Sequence, residues 1–395
     1  MILELTNIQT MALAVLVLYL GKYINNTFKF LKENCIPDAV TGGTVFSIFT
    51  LIGHESNLFS FVFEDTLREV FMIAFFTTVG FSASIKLLKK AGIPVLMFLI
   101  AAVGLTFFQN IAGIAMAKVL RVSLLIGLAT GSLATTGGPG TAGAFGPIME
   151  SFGAPGATMV AMATATYALI AGSIIAGPLC KRLIEKHSLL EKHKNSNSFE
   201  SSGEKSETLI TKRVIPTGFL LIIAMGVGSL ISGFLNSLGL VLPSYIGAMF
   251  AATIIRNISD YSGKFEIDLD IISTIGSFTL AMFLSMTLMA FKLWELKELA
   301  LPLVIMLIGQ TILMGAFAYF VTFNITGRDY DAAIMTGGHC GCGFGTTPKA
   351  LANMEALTER YLPSPKAFFV IPIVGSLFID FFNAAIITFF INLVK

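Results

Sequence analysis

Two glycine-rich stretches hold the residues with the clearest chemical potential. The first is Thr135-Thr-Gly-Gly-Pro-Gly-Thr141 and the second Gly341-Cys-Gly-Phe-Gly-Thr-Thr-Pro348. Glycine adopts backbone conformations closed to other residues and leaves its N–H and C=O groups uncovered. Uncovered N–H groups at the start of a half-helix hold an anion, and uncovered carbonyls hold a cation such as Na+. Gly137, Gly138, Gly140 and Thr141 are the expected substrate contacts of the first stretch, and Gly343, Gly345, Thr346 and Thr347 those of the second. Glycines also let helices pack closely, but clustering with proline at both apices favours a site. A third feature is Asp380, in the apolar run Phe378-Ile-Asp-Phe-Phe-Asn383. At the centre of a membrane helix an Asp costs about 2.5–3.5 kcal/mol on insertion scales. Asn383 lies three residues on, hence on the same helical face, and the two oxygens together suit a cation. Thr77, Thr78 and Ser82, around Gly80, would add hydroxyls to a Na+ site if the helix breaks there.

Other patterns carry less. Gly138-Pro-Gly-Thr-Ala-Gly143 fits the dinucleotide fingerprint, but neither a preceding strand nor an acidic residue about 20 positions on supports it. Cys340-Gly-Cys342 lacks the two-residue spacing of a zinc or redox pair. His339 is a single imidazole with no ligand partner in the sequence and reads as scaffold. Gln109-Asn110 and Gln310 read as helix–helix hydrogen bonding. Lys349 and Arg121 read as charges at a membrane interface.

The elements that must position these residues follow from composition. Of 395 residues, 55% are hydrophobic and 13% charged, against about 25% charged in a soluble domain. With a mean hydropathy of +0.81, a soluble enzyme, a secreted disulfide scaffold and a nucleic-acid binder are all excluded. A spanning helix needs about 20 apolar residues. Ten candidate spans lie near residues 5–24, 38–53, 70–87, 92–118, 155–180, 214–235, 243–256, 271–292, 299–324 and 366–394. The first lacks the basic start and cleavage site of a signal peptide. Residues 181–213, rich in Lys, Ser and Glu, form a linker between residues 1–180 and 214–395.

Lys and Arg concentrate on the cytoplasmic side of membrane proteins. With both termini outside and the linker cytoplasmic, 20 of the 26 basic residues fall inside. The two halves also echo one another. Ile36-Pro37 recurs as Leu242-Pro243, Lys86–Pro94 as Trp294–Pro302, and Gly140-Thr141 with Met149-Glu150 as Gly345-Thr346 with Met354-Glu355, at offsets of 205 to 208 positions. Five spans per half place the halves in opposite orientations, a plan common among secondary transporters. The expected fold is an all-α polytopic membrane protein of about ten helices in two inverted five-helix repeats. Residues 122–153 and 331–359 are left over as re-entrant hairpins. The arm Val122–Thr136, as a helix of roughly 22 Å, is too short to cross about 30 Å of hydrocarbon.

In length, span number, central linker and paired hairpins, the sequence resembles the bacterial sodium/glutamate symporter family. The most specific part is Gly341-Cys-Gly-Phe-Gly-Thr-Thr-Pro-Lys-Ala-Leu-Ala-Asn-Met354, followed by Gly375-Ser376, Asp380 and Asn383. The first hairpin departs from the family in having Pro139 between its glycines. The resemblance implies a multi-pass inner-membrane protein that imports L-glutamate with Na+ and binds no nucleic acid. It further implies a lipid-embedded homodimer in which a mobile domain carries the site past a fixed one, as in an elevator. Rival readings are a symporter of another di- or tricarboxylate, coupling to H+, a channel, or an intramembrane enzyme.

Overall fold

The computed structural model describes residues 2–28, 31, 36–190, 210–237, 244–263, 265–291, 294 and 299–395. Of the expected landmarks, Leu242-Pro243, residues 191–209 of the linker and residues 295–298 of the Trp294–Pro302 repeat lie outside the described residues. In chain order the first elements are β1 (Ile2–Leu5), α1 (Asn7–Thr27), α2 (Asp38–Glu55), β2 (Ser60–Phe63), α3 (Thr66–Ser82) and α4 (Ile85–Leu120). The first hairpin follows as α5 (Leu124–Ala129), α6 (Ser132–Thr135) and α7 (Gly138–Ser151), leading into α8 (Ala157–Lys186). Beyond the linker come α9 (Ile210–Ser237), α10 (Ser244–Ser262), α11 (Leu269–Met289), α12 (Ala300–Phe317) and α13 (Phe323–Ile325). The second hairpin is α14 (Tyr330–Cys342) and α15 (Thr347–Arg360), and the chain closes with α16 (Pro365–Leu377) and α17 (Ile379–Val394).

A helix occupies each of the ten expected ranges. Among the described residues seven helices are long and apolar enough to cross a membrane, or eight if α16 and α17, bent by 45°, form one span. Neither α2, rich in Gly, Ser and Thr, nor α10, which carries Arg256 and Asp260, is among them. Helix α8 runs on to Lys186 and α9 begins at Ile210, so both enter the stretch expected as linker. The parallel pairing of β1 with β2, in the register Ile2↔Ser60, departs from the all-α expectation. Four residues are too few for a period-2 pattern to stand out, and Phe59, Phe61 and Phe63 read equally as apolar loop.

The chain forms two compact units, one of Met1–Lys86 with Ser206–Lys297 and the other of Leu87–Lys205 with Glu298–Lys395. Each unit therefore draws on both sides of the linker, and compactness divides the chain differently from the repeat.

The first unit packs α1–α3 with α9–α11. Its contacts come in matched pairs. A Cβ on Gly42 would stand 2.0 Å from the Val17 carbonyl oxygen, and one on Gly247 would stand 2.2 Å from that of Gly228. Backbones can approach this closely only where a side chain is missing. The Ser47 hydroxyl donates to the Leu288 carbonyl at 2.6 Å, and the Thr253 hydroxyl to that of Gly80 at 3.1 Å. Ser47 and Thr253 lie 206 positions apart, Gly80 and Leu288 208. These are the offsets of the sequence repeat. The helix α3 continues through Gly80 instead of breaking there, because Gly80 admits the Met249 carbonyl oxygen to 2.2 Å from where its Cβ would be. The hydroxyls of Thr77, Thr78 and Ser82 each donate back to their own helix, to Ile73, Phe75 and Thr78.

Gly228→Ala is expected to force α9 and α10 apart, since its Cβ would lie 2.1 Å from the Ala248 Cα. Overpacking of this kind costs about 1–3 kcal/mol. Gly226, one turn-fraction away on the same helix, has nothing within 4 Å of its Cβ position, so Gly226→Ala should be neutral or slightly stabilising. Thermal unfolding of the solubilised protein separates the two; equal midpoints would contradict the close packing.

The second unit packs α4, α8, α12, α16 and α17 around the two hairpins. Gly92, at φ 80, interrupts α4 just after the chain enters this unit. Five residues of π-helix, Ala318–Thr322, join α12 to α13. The main core of the unit runs through Phe98, Leu99, Leu183, Tyr330, Ile334, Met354, Ile371 and Phe378.

Candidate binding site

The two glycine-rich apices meet inside the second unit. The Thr136 hydroxyl lies 3.0 Å from the Gly343 carbonyl oxygen and 2.8 Å from Gln109 Oε1. Gln109 Nε2 donates to the same Gly343 carbonyl at 2.8 Å. One glutamine on α4 thus holds both tips. Gly138 turns at φ 64, and a Cβ there would stand 3.2 Å from the Gly345 carbonyl oxygen and 3.6 Å from Thr346 Cγ2. Thr141 packs its side chain on Gly137, with Oγ1 2.6 Å from where a Cβ would be. Gly140 is buried within the first turn of α7. Thr346 caps α15 in an extended conformation, and Thr347 Oγ1 lies 2.7 Å from the Cβ position of Gly375, on α16. The structure therefore brings the expected residues of both tips to one place, beside the break between α16 and α17.

A closed gap, without room for a water molecule, marks that place. It is lined by Ala102, Thr136, His339, Cys342, Gly343, Val374, Gly375 and Ile379. The lining comes from four parts of the chain, α4, both hairpins and the broken last span.

The first arm is not the single helix expected over Val122–Thr136. It breaks between α5 and α6 at Gly131, whose φ of −81 and ψ of −151 are extended. Asn110 replaces the lost helical bond: its Oδ1 accepts from the Ser132 N–H at 2.9 Å and from the Ser132 hydroxyl at 3.1 Å. From the other side, Asn383 Nδ2 donates to the Ser132 carbonyl at 3.1 Å. Asn383 is fully buried, and its Oδ1 has no hydrogen-bond partner among the described residues.

Asp380 was expected within a continuous helix. It stands instead in the first turn of α17, directly after the break at Phe378. The side chain is partly buried, and among the described residues no ion pair meets it. Asp380 and the free oxygen of Asn383 are one turn apart on the helix that faces the first hairpin. Thr77, Thr78 and Ser82 belong to the other unit.

Two cations near the hairpins differ in placement. Arg121 is exposed, whereas Lys349 is buried at 3% exposure rather than lying at an interface. The cause is close packing of the hairpin arms, since a Cβ on Gly341 would stand 2.4 Å from the Ala350 Cα. Gln109, Asn110, Ser132, Thr136 and His339 were not expected at the site. Gln109 and Asn110 were visible as adjacent amides in an apolar span, but their partners lie on other elements.

The sequence matches the family described as Sodium/glutamate symporter over residues 3–363. It is 38% identical over 394 residues to the sodium/glutamate symporter of Escherichia coli strain K12, covering 99% of this chain and 98% of that protein. The sodium/glutamate symporter of Haemophilus influenzae is 38% identical over 386 residues, covering 96% of this chain and 95% of that one. Among solved structures, a sodium proton antiporter from Methanocaldococcus jannaschii overlays with a TM-score of 0.45 at 16% identity, over 96% of this chain and 95% of that chain.

Proposed function

Because the chain belongs to the sodium/glutamate symporter family, we propose that it imports L-glutamate in symport with Na+ as a secondary active transporter. It is not an enzyme in this reading. The observation that carries it is the meeting of two glycine-rich tips beside a broken span, within one compact unit. Non-helical backbone at membrane depth persists only where protein or a cavity satisfies it. The tips, through Gly137, Gly138, Gly140, Thr141, Gly343, Gly345, Thr346 and Thr347, receive the glutamate. Asp380 and Asn383 supply oxygens to Na+. Oxygen ligands suit a hard cation, and Asn383 Oδ1 is a buried oxygen with no other partner among the described residues. Thr77, Thr78 and Ser82, in the first unit, offer further hydroxyl oxygens to Na+, since a hydroxyl that donates within its own helix keeps lone pairs for a cation.

Ten membrane crossings in two inverted five-helix repeats, with re-entrant hairpins, fit the matched contacts of the first unit and the opposed tips of the second. The protein sits in the bacterial inner membrane with the linker cytoplasmic and both termini outside. It works as a homodimer in lipid, and the second unit carries the site in an elevator movement. Competition for labelled L-glutamate uptake by a panel of carboxylates tests the substrate. L-glutamate should compete best; stronger competition by a di- or tricarboxylate would replace the proposed substrate while leaving the architecture.

A further inference from the structure

His339 lies in α14, one turn before the second tip, and is only 1% exposed. Its Nδ1 is 2.7 Å from the Thr322 hydroxyl. Its Nε2 is buried with no hydrogen-bond partner among the described residues. The ring is held edge-on between Phe98 and Phe317, at centroid distances of 5.0 and 6.3 Å. The Cδ2 edge, bonded to Nε2, lies 3.1 Å from where a Cβ of Gly343 would stand. That edge faces the gap between the tips, which His339 lines together with Thr136, Gly343 and Gly375.

The π-helical turn brings Thr322 to His339 Nδ1. Thr322 ends the turn Ala318–Thr322, and the Phe323 N–H donates to the Ala318 carbonyl. With the Thr322 hydroxyl as donor to Nδ1, the neutral imidazole carries its proton on Nε2. Insertions of π-helix are frequent at functional sites. A buried donor left without an acceptor is costly, so an acceptor admitted when the gap between the tips opens recovers that cost.

We propose that His339, set by Thr322, is a ligand-binding residue whose Nε2–H donates to a carboxylate oxygen of the transported amino acid at the gap between the tips. This rests on the reading of the tips as the glutamate site, and it gives the imidazole a role beyond scaffold. The residue would also discriminate by chemistry, favouring an anionic oxygen over an ammonium group or a bare cation.

The test is equilibrium binding of L-glutamate to the purified full-length protein in saturating Na+, for wild type, His339→Leu, His339→Gln and Thr322→Val. Removing the donor with His339→Leu should weaken glutamate binding at least about tenfold, the expected size for a hydrogen bond to a charged group. His339→Gln keeps an N–H donor of similar reach and should stay within about threefold. Thr322→Val keeps the volume but frees the tautomer, and should weaken binding in the same direction as His339→Leu. Equal affinity in wild type, His339→Leu and Thr322→Val would overturn the role of His339 while leaving the proposed function intact. An equal loss in His339→Leu and His339→Gln would assign the residue to structure alone. Should His339→Leu not fold, unchanged affinity in Thr322→Val decides against the proposal. Absence of Na+-dependent glutamate binding in wild type would remove both this proposal and the reading it rests on.

Discussion

Asp380→Asn is expected to move the Na+ dependence of uptake to concentrations at least about tenfold higher, a change of about 1.4 kcal/mol. The substitution keeps size and one oxygen but removes the charge. Asp380 opens α17 after the break at Phe378, one turn from the Asn383 oxygen that has no partner among the described residues. A cation held by that pair loses its only anion. Glutamate affinity measured at saturating Na+ should change far less. A carboxyl group serving only as a neutral helix–helix hydrogen-bond partner behaves differently. Asn then replaces it at a cost of roughly 0.6 kcal/mol, and the Na+ curve does not shift. An unshifted curve would take Asp380 out of the cation site.

Gly138→Val should abolish transport while leaving insertion and folding in place. Gly138 is at φ 64, where an L-residue costs about 1–2 kcal/mol, and a β-branched one is a severe outlier. Its Cβ would also press on the Gly345 carbonyl oxygen at 3.2 Å, across the meeting point of the tips. Gly153 provides the control. It is at φ 88 with nothing within 4 Å of its Cβ position, so Gly153→Val carries comparable backbone strain without touching the tips. Gly153→Val should transport, and Gly138→Val should not. Equal activity in both, measured as uptake per correctly inserted protein, would mean that the tips do not touch the substrate.

The tips were legible in the sequence because Gly, Pro and Thr clusters contradict the apolar helices around them, and only a cavity or a site tolerates that contradiction. Asn383 was legible for the same reason, as a polar group on an apolar face. The partners of these groups were not. Nothing local says that Gln109 reaches Gly343, or that Asn110 breaks the first arm by taking the Ser132 N–H, because these contacts join elements whose packing the sequence does not state. His339 read as scaffold since its one fixed bond, to Thr322, depends on a π-helical turn that no periodicity announces. The repeat was visible as matched motifs, yet the grouping of α1–α3 with α9–α11 was not. An offset of about 206 positions relates residues to their counterparts and leaves open which helices touch. Gly80 misled for a physical reason: a glycine flanked by hydroxyl residues reads as a helix break, and here it serves close packing against Met249.

Uptake of labelled L-glutamate into proteoliposomes under an imposed inward Na+ gradient tests the account most directly. Accumulation above the external concentration, lost when the Na+ gradient is dissipated and unaffected by a proton gradient alone, is the predicted result. Accumulation driven equally well without Na+, or by a proton gradient alone, would contradict it.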